Sequence, residues 1–163
     1  MGTPNILVAR IDNRLVHGQV GMTWVNTIGA NLLIVANDAV AKDEVQQNLM
    51  EMVIPDTVGI RFFTLDKTIR IISKAAPFQK ILLVMKTPQD AFTLIKGGVP
   101  IKKLNIGNLH FAEGKKQLSA TVSVSEEDVE IFNRLHSMGI RLEVQGIPNE
   151  RATDLMTLLK KVQ

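Results

Sequence analysis

The chain has 163 residues, with 19 Lys and Arg against 16 Asp and Glu, three His, one Trp and neither Cys nor Tyr. Without Cys it has no disulfide scaffold, thiolate zinc site, iron–sulfur cluster or thiol nucleophile. Its formal charge of +3, with Lys pairs scattered at 102–103, 115–116 and 160–161, argues against a nucleic-acid partner. Aromatics make up 4%, too few for a sugar-stacking platform, and no apolar run approaches the roughly 20 residues of a membrane span. With no repeat or linker-like tract, the expectation is one continuous cytoplasmic domain over residues 1–163.

In chain order, NILVAR (5–10) reads as a buried strand, and residues 20–28 carry helical spacing up to Gly29. NLLIVAN (31–37) is a second strand, followed by a helix in which Val45, Leu49, Met52 and Val53 share the expected inner face before Pro55. GIRFFT (59–64) is a third strand. Residues 66–75 form a helix that aligns Ile69 with Ile72 and ends before Pro77.

KILLVMK (80–86) is the most apolar strand, and Thr87-Pro88 then supplies an N-cap and a first-turn proline for a helix closed by Gly97-Gly98. IKKLNIG (101–107) is a fifth strand, and the alternation over 119–124 suggests a sixth, joined to it without a helix. Ser125-Glu126-Glu127-Asp128 opens a helix that gathers Val129, Phe132 and Leu135 and stops at Gly139. Residues 140–144 make a last strand, and Leu155, Leu158, Leu159 and Val162 line a terminal helix.

Aliphatic strands separated by helices predict a three-layer, Rossmann-like α/β fold, with a mostly parallel sheet of about seven strands flanked by about six helices. Ligands of such sheets gather at the carboxyl ends of the strands. There the sequence sets residues 10–19 (RIDNRLVHGQ) after the first strand and Asn37-Asp38 after the second. Lys86-Thr87 follows the fourth and Asn108-Leu109-His110 the fifth.

The first of these segments is long and charged, with Asp12, Arg14 and His17 within six positions. Neither G-x-G-x-x-G nor G-x-x-x-x-G-K-[ST] occurs, so dinucleotide and phosphate-loop readings lose their support. An Arg and a His beside a helix start suit a phosphoryl group. Neutral imidazole is a nucleophile, guanidinium pairs with phosphate oxygens, and the free N–H groups of a helix start add donors. A loop histidine with no chemical role fits the local pattern equally well.

The string ARIDNRLVHGQVGMTW (9–24) resembles the active-site segment of the IIB component of the mannose/fructose/sorbose family of bacterial sugar phosphotransferase systems, usually R-I-D-D-R-L-I-H-G-Q-V. The resemblance extends to ANDAVAKDEVQQNLM (36–50), the Lys86-Thr87-Pro88 corner and NIGNLH (105–110). It implies a protein-phosphohistidine–sugar phosphotransferase in which His17 accepts phosphoryl from a IIA protein or domain. His17 would then pass it to a sugar held by the membrane components IIC and IID, at the inner face of the membrane. Arg14 would stabilise the phosphoryl group, and loop amides near Gly18 and Gln19 would add donors.

No cofactor other than the covalent phosphoryl group is implied. Family members are described as phosphorylated on Nδ1, and the sequence leaves the nitrogen open. Several other IIB families carry the phosphoryl group on Cys, so a chain without Cys fits a histidine-using branch. Asn13 and Asn108 depart from the commoner Asp and Gly, and both resemble the N-acetylgalactosamine/galactosamine branch, as does GGVPIKKLNIGN (97–108).

Within that loop Asp12 could orient the imidazole or hold Arg14 in place, the favoured expectation being a structural carboxylate making local backbone bonds. Asp38 is expected to cap a helix or sit on the rim, and Lys86 to be a solvated strand end or a second phosphate contact. His110 shares the rim, His136 reads as surface and Trp24 as core. The three His have no metal-ligand spacing, so no metal is expected. Self-association stays open. So do a ligand-binding or regulatory module, in which His17 is never phosphorylated, and an adaptor that only docks other proteins.

Overall fold

The computed structural model describes residues 2–162; of these, the side chains of residues 19–21 are left undescribed. The chain runs β1 (Asn5–Asp12), α1 (Gly18–Ile28), β2 (Leu32–Ala36), α2 (Glu44–Glu51), β3 (Gly59–Phe63) and α3 (Leu65–Ile71). Next come β4 (Lys80–Met85), α4 (Pro88–Lys96), β5 (Lys103–Asn108), β6 (Lys116–Gln117) and β7 (Ser123–Val124). Last are α5 (Glu126–Ser137), β8 (Arg141–Val144), β9 (Thr153–Asp154) and α6 (Leu155–Val162).

Seven strands form one sheet in the order β3-β2-β4-β1-β5-β8-β9, parallel except for β9, which runs antiparallel to β8. Period-two alternation sorts each strand between the two faces. Leu33, Val35, Leu82 and Val84 pack with Trp24 and Val25 of α1 and Met50 of α2. Ile34, Ala36, Ile81, Leu83 and Met85 pack on the opposite face with Leu94 of α4, Phe132 and Leu135 of α5 and Leu159 of α6. These are the three layers that the sequence predicts.

Several helix ends follow the side-chain chemistry. Thr87 Oγ1 accepts the N–H of Asp90 with Pro88 in the first turn, and Ser125 and Asp128 form a capping box that satisfies two N–H groups at the start of α5. The α1 helix ends on Gly29 at φ 71, in the left-handed region a glycine adopts without a Cβ clash.

Three expectations are corrected. Residues 119–124 do not enter the main sheet: Ser123–Val124 pairs with Lys116–Gln117 in a separate two-stranded hairpin, and the seventh strand of the sheet is Thr153–Asp154. Only two register pairs hold that hairpin, too few for an apolar alternation to identify a sheet partner from sequence.

The inner face of α2 also differs. Val45, Leu49 and Met52 are exposed, at 68, 56 and 79%, while Val53 is half-buried and Met50 fills the core. Asp43 caps this short helix by accepting from the N–H of Gln46, and buried Val40 and Ile54 on either side turn Met50 inward. The regular spacing of the other three therefore faces outward. Lastly, β1 runs two residues further than predicted, so Asp12 belongs to a buried strand end and not to an exposed loop.

Candidate active site

The β1 strand lies between β4 and β5, where successive crossovers leave toward opposite edges of the sheet. At its carboxyl end the chain reverses within a few residues. Asp12 O accepts the N–H of Leu15 at 2.9 Å, and Asp12 Oδ1 accepts the N–H of Arg14 at 3.0 Å, an Asx turn laid over a β-turn. Leu15 is the one non-glycine residue at positive φ among those described, at 60°, a backbone costing roughly 1–2 kcal/mol. Burial of Leu15 and Val16 beside Trp24, Val25 and Leu33 offsets that strain and anchors the turn.

This reversal brings His17 back over the strand end it came from. His17 is the N-cap of α1 in extended conformation, its side chain 20% exposed, with Nε2 3.1 Å from Asp12 Oδ2. Asp12 is 1% exposed and accepts Nδ2–H of Asn108 on the same oxygen at 2.9 Å, with Arg10 Nη2 at 3.6 Å. Burial works to raise its carboxyl, but the hydrogen bonds from His17, Asn108 and the Arg14 N–H, with the charge of Arg10, outweigh it and hold the group below the usual carboxylate range. Asp12 is therefore an ionised acceptor.

An ionised acceptor at Nε2 places the proton of a neutral imidazole on Nε2 and leaves the lone pair on Nδ1. No described residue hydrogen-bonds Nδ1. Arg14 is exposed, and its guanidinium pairs with no carboxylate among the described residues. At the first turn of α1, which has no acidic side chain, Gly18 is exposed at φ 31. The imidazole of His17, the exposed Arg14 and the start of α1 thus lie within residues 14–18, directly after the end of β1.

Other expected residues separate. Asn108 is 7% exposed and supports Asp12 through its Nδ2–H. Asn13 gives its backbone N–H to Asn108 O at 2.9 Å and so ties the turn to β5. His110 is exposed and lines, with Arg14, Asn108, Phe111, Thr121 and Ser123, an open cleft of about 300 Å³ beside the loop. Asp38 Oδ1 accepts the N–H of Leu65 at 2.9 Å and so fastens the start of α3. Lys86 is exposed at the end of β4, His136 is exposed on α5, and the Gln19 side chain lies outside the described residues.

What the sequence reading missed is the floor beneath Asp12. Arg10 is 3% exposed, and its Nη1 donates to Asn105 Oδ1 and, at 2.8 Å, to Gln145 O. Its Nη2 donates to Gly146 O at 2.8 Å, and Cζ stacks over the Trp24 ring at 4.8 Å. Trp24, expected as core, is buried and also donates Nε1–H to Gly146 O at 3.0 Å. Burial lowers the Arg10 pKa to about 10, opposed by Asp12, and at that value it keeps its charge at neutral pH. One signal was available: an Arg inside an apolar strand is almost never buried unpaired, so it implies a partner across the sheet.

The site is thus a carboxylate-held histidine that caps the helix after the first strand of a mostly parallel sheet. The chain matches the family of PTS system sorbose subfamily IIB components over residues 6–163, and it belongs to that family of phosphotransferase-system proteins.

It is 56% identical over 156 residues to the N-acetylgalactosamine-specific phosphotransferase enzyme IIB component 2 of Escherichia coli K12, covering 96% of this chain and 99% of that protein. The crystal structure of a PTS-dependent N-acetylgalactosamine IIB component from Streptococcus pyogenes superposes with a TM-score of 0.91 at 42% identity, covering 96% and 99% of the two chains. The mannose-specific EIIAB component of E. coli K12 is 35% identical over 95% of this chain, which spans 48% of that longer protein. Among the described residues no helix is long and apolar enough to cross a membrane.

Proposed function

We propose that this chain is a phosphohistidine carrier that receives a phosphoryl group from a IIA protein or domain on Nδ1 of His17 and delivers it to a sugar during uptake. The observation that carries this is the pairing of Nε2 with buried, ionised Asp12, which leaves Nδ1 as the basic nitrogen. In the first step the N–P bond on the donor histidine breaks as a new one forms at Nδ1, and the Nε2 proton stays with Asp12 as its acceptor. In the second, a sugar hydroxyl takes the phosphoryl group, the N–P bond at His17 breaks, and the hydroxyl proton passes to a base on the sugar-binding side.

Arg14 stabilises charge on the equatorial phosphoryl oxygens, and the first-turn amides of α1 add donors, so catalysis is positioning plus electrostatics. No cofactor enters this scheme, since the phosphoryl group on His17 is itself the cargo. The names of the relatives support N-acetylgalactosamine or a related hexosamine as the sugar. The EIIAB relative supports a IIA donor, and the family supports membrane IIC and IID acceptors at the cytoplasmic face.

Incubation with phosphoenolpyruvate, the general phosphotransferase proteins and a cognate IIA should place acid-labile, base-stable phosphate on the protein, and His17→Ala should take none. Membranes carrying the matching IIC and IID should then phosphorylate N-acetylgalactosamine ahead of other hexoses. Stoichiometric binding of a small ligand with no labelling would favour a binding module instead.

A further inference from the structure

Beneath the reactive loop, five groups converge on one buried guanidinium. Asn105 presents Oδ1 to Arg10 because its own Nδ2 is held by Gln145 Oε1 at 3.0 Å. Gln145 Nε2 in turn donates to Pro148 O and Glu150 O, and Glu150 Oε2 accepts the N–H of Gly146 at 2.9 Å, so the carbonyls of Gln145 and Gly146 that face Arg10 belong to a tied loop. On its far side Arg10 meets the Trp24 ring and Asp12 Oδ2.

The seat is made by an absence. A Cβ on Gly107 would come within 2.6 Å of Nη1 and closer still to Cζ and Nη2, whereas its backbone torsion does not demand glycine. Glycine at 107 is thus explained by the room the guanidinium occupies.

We propose that Arg10, seated over Gly107, is a positioning residue for the phosphoryl transfer: it holds Asp12 so that this carboxylate grips Nε2–H of His17 and turns Nδ1 outward. This rests on the carrier reading above. Arg10 touches no reacting atom and acts only through Asp12. Its forked geometry meets three oxygens at once, and so fixes the depth and tilt of the β1 end that Asp12 terminates. Without it, Asp12 would keep only the neutral donors Asn108, His17 and the Arg14 N–H, on a β1 end no longer fixed in depth and tilt, and a small misplacement of the nucleophile costs up to about a hundredfold in rate.

The test uses Gly107→Ala and Arg10→Lys, with Leu135→Ala, in the core on the opposite face, as a control that loses stability without touching the network. Two readouts are taken on the full chain: the Nε2–H proton resonance of His17, protected from water exchange by Asp12, and the rate of phosphoryl transfer from phosphorylated IIA. The wild type and Leu135→Ala should show the protected resonance. Gly107→Ala and Arg10→Lys should lose it and transfer at least about tenfold more slowly.

In an Arg10→Met background, adding Gly107→Ala should cost nothing further, because the clash partner is gone. Should Gly107→Ala fail to fold, Arg10→Lys, which keeps the charge and loses the fork, decides the matter. A folded Arg10→Lys or Gly107→Ala protein with the protected resonance and a transfer rate within about twofold of wild type would overturn the proposal. If the wild type took no phosphate on His17, the carrier reading would fall while the resonance still reported on Arg10.

Discussion

Arg10 and Arg14 stand four positions apart on the same stretch of chain, yet Arg10 is 3% exposed and fully engaged by oxygens, while Arg14 is exposed with its guanidinium uncommitted. The residues around them divide the same way. Asp12, Asn105 and Asn108 lie in the floor, and Gly18 and His110 lie on the lip. A reactive group that must meet other proteins needs a mobile, solvent-facing cation beside it. The same group needs a rigid support that does not change when partners come and go. Placing a charged residue at the end of a buried strand and another beyond the turn supplies both from a run of residues that looks uniform in sequence.

The sharpest way to break that contrast is at the floor. Asp12→Asn should slow phosphoryl transfer about a hundredfold or more, because an amide can present its N–H to Nε2 and favour the wrong tautomer. It should also lower stability by about 3 kcal/mol in denaturant titration, since Arg10 would be left buried without its counter-charge. The lip should respond differently. Arg14→Ala should slow transfer by roughly tenfold to a hundredfold in a single-turnover assay while leaving stability within about 0.5 kcal/mol.

Acid provides a finer separation. Because the folded-state pKa of Asp12 is depressed, its ionisation stabilises the fold above the unfolded-state value of about 3.9, and that contribution is lost as pH falls through the lower folded value. The stability gap between wild type and Asp12→Asn should therefore narrow below about pH 4 and stay constant above pH 6 or so. Asp90 carries the opposite sign. Burial raises its pKa, so its contribution is present at low pH and fades as pH rises through the raised value, and Asp90→Asn should flatten that part of the curve. The smallest expected effect lies on α2. Leu49→Gln and Met52→Gln should each change stability by less than about 0.5 kcal/mol, whereas Met50→Ala should cost about 2–5 kcal/mol.

The same contrast explains how much could be read from the chain beforehand. Strands such as KILLVMK and helix starts such as Thr87-Pro88 and Ser125 to Asp128 are dictated by local chemistry, and the structure places them where the pattern does. The orientation of α2 is not local. Val45, Leu49 and Met52 satisfy a helical period, but Val40, Met50 and Ile54 decide which side meets the sheet. Likewise, His17 and Arg14 are singled out by the resemblance of their loop to the family's segment, while Arg10's partners come from residues 105, 145 and 146, brought beside β1 only by the strand order. Asp12 looked like a loop carboxylate because the end of β1 could not be set to within two residues.

The most direct test of the account is the site of phosphorylation itself. Nitrogen-15 NMR of the protein after phosphorylation by IIA should show phosphorus bonded to Nδ1 of His17, with Nε2 still protonated and hydrogen-bonded to Asp12. Phosphate on Nε2, or on His110 or any other residue, would contradict it.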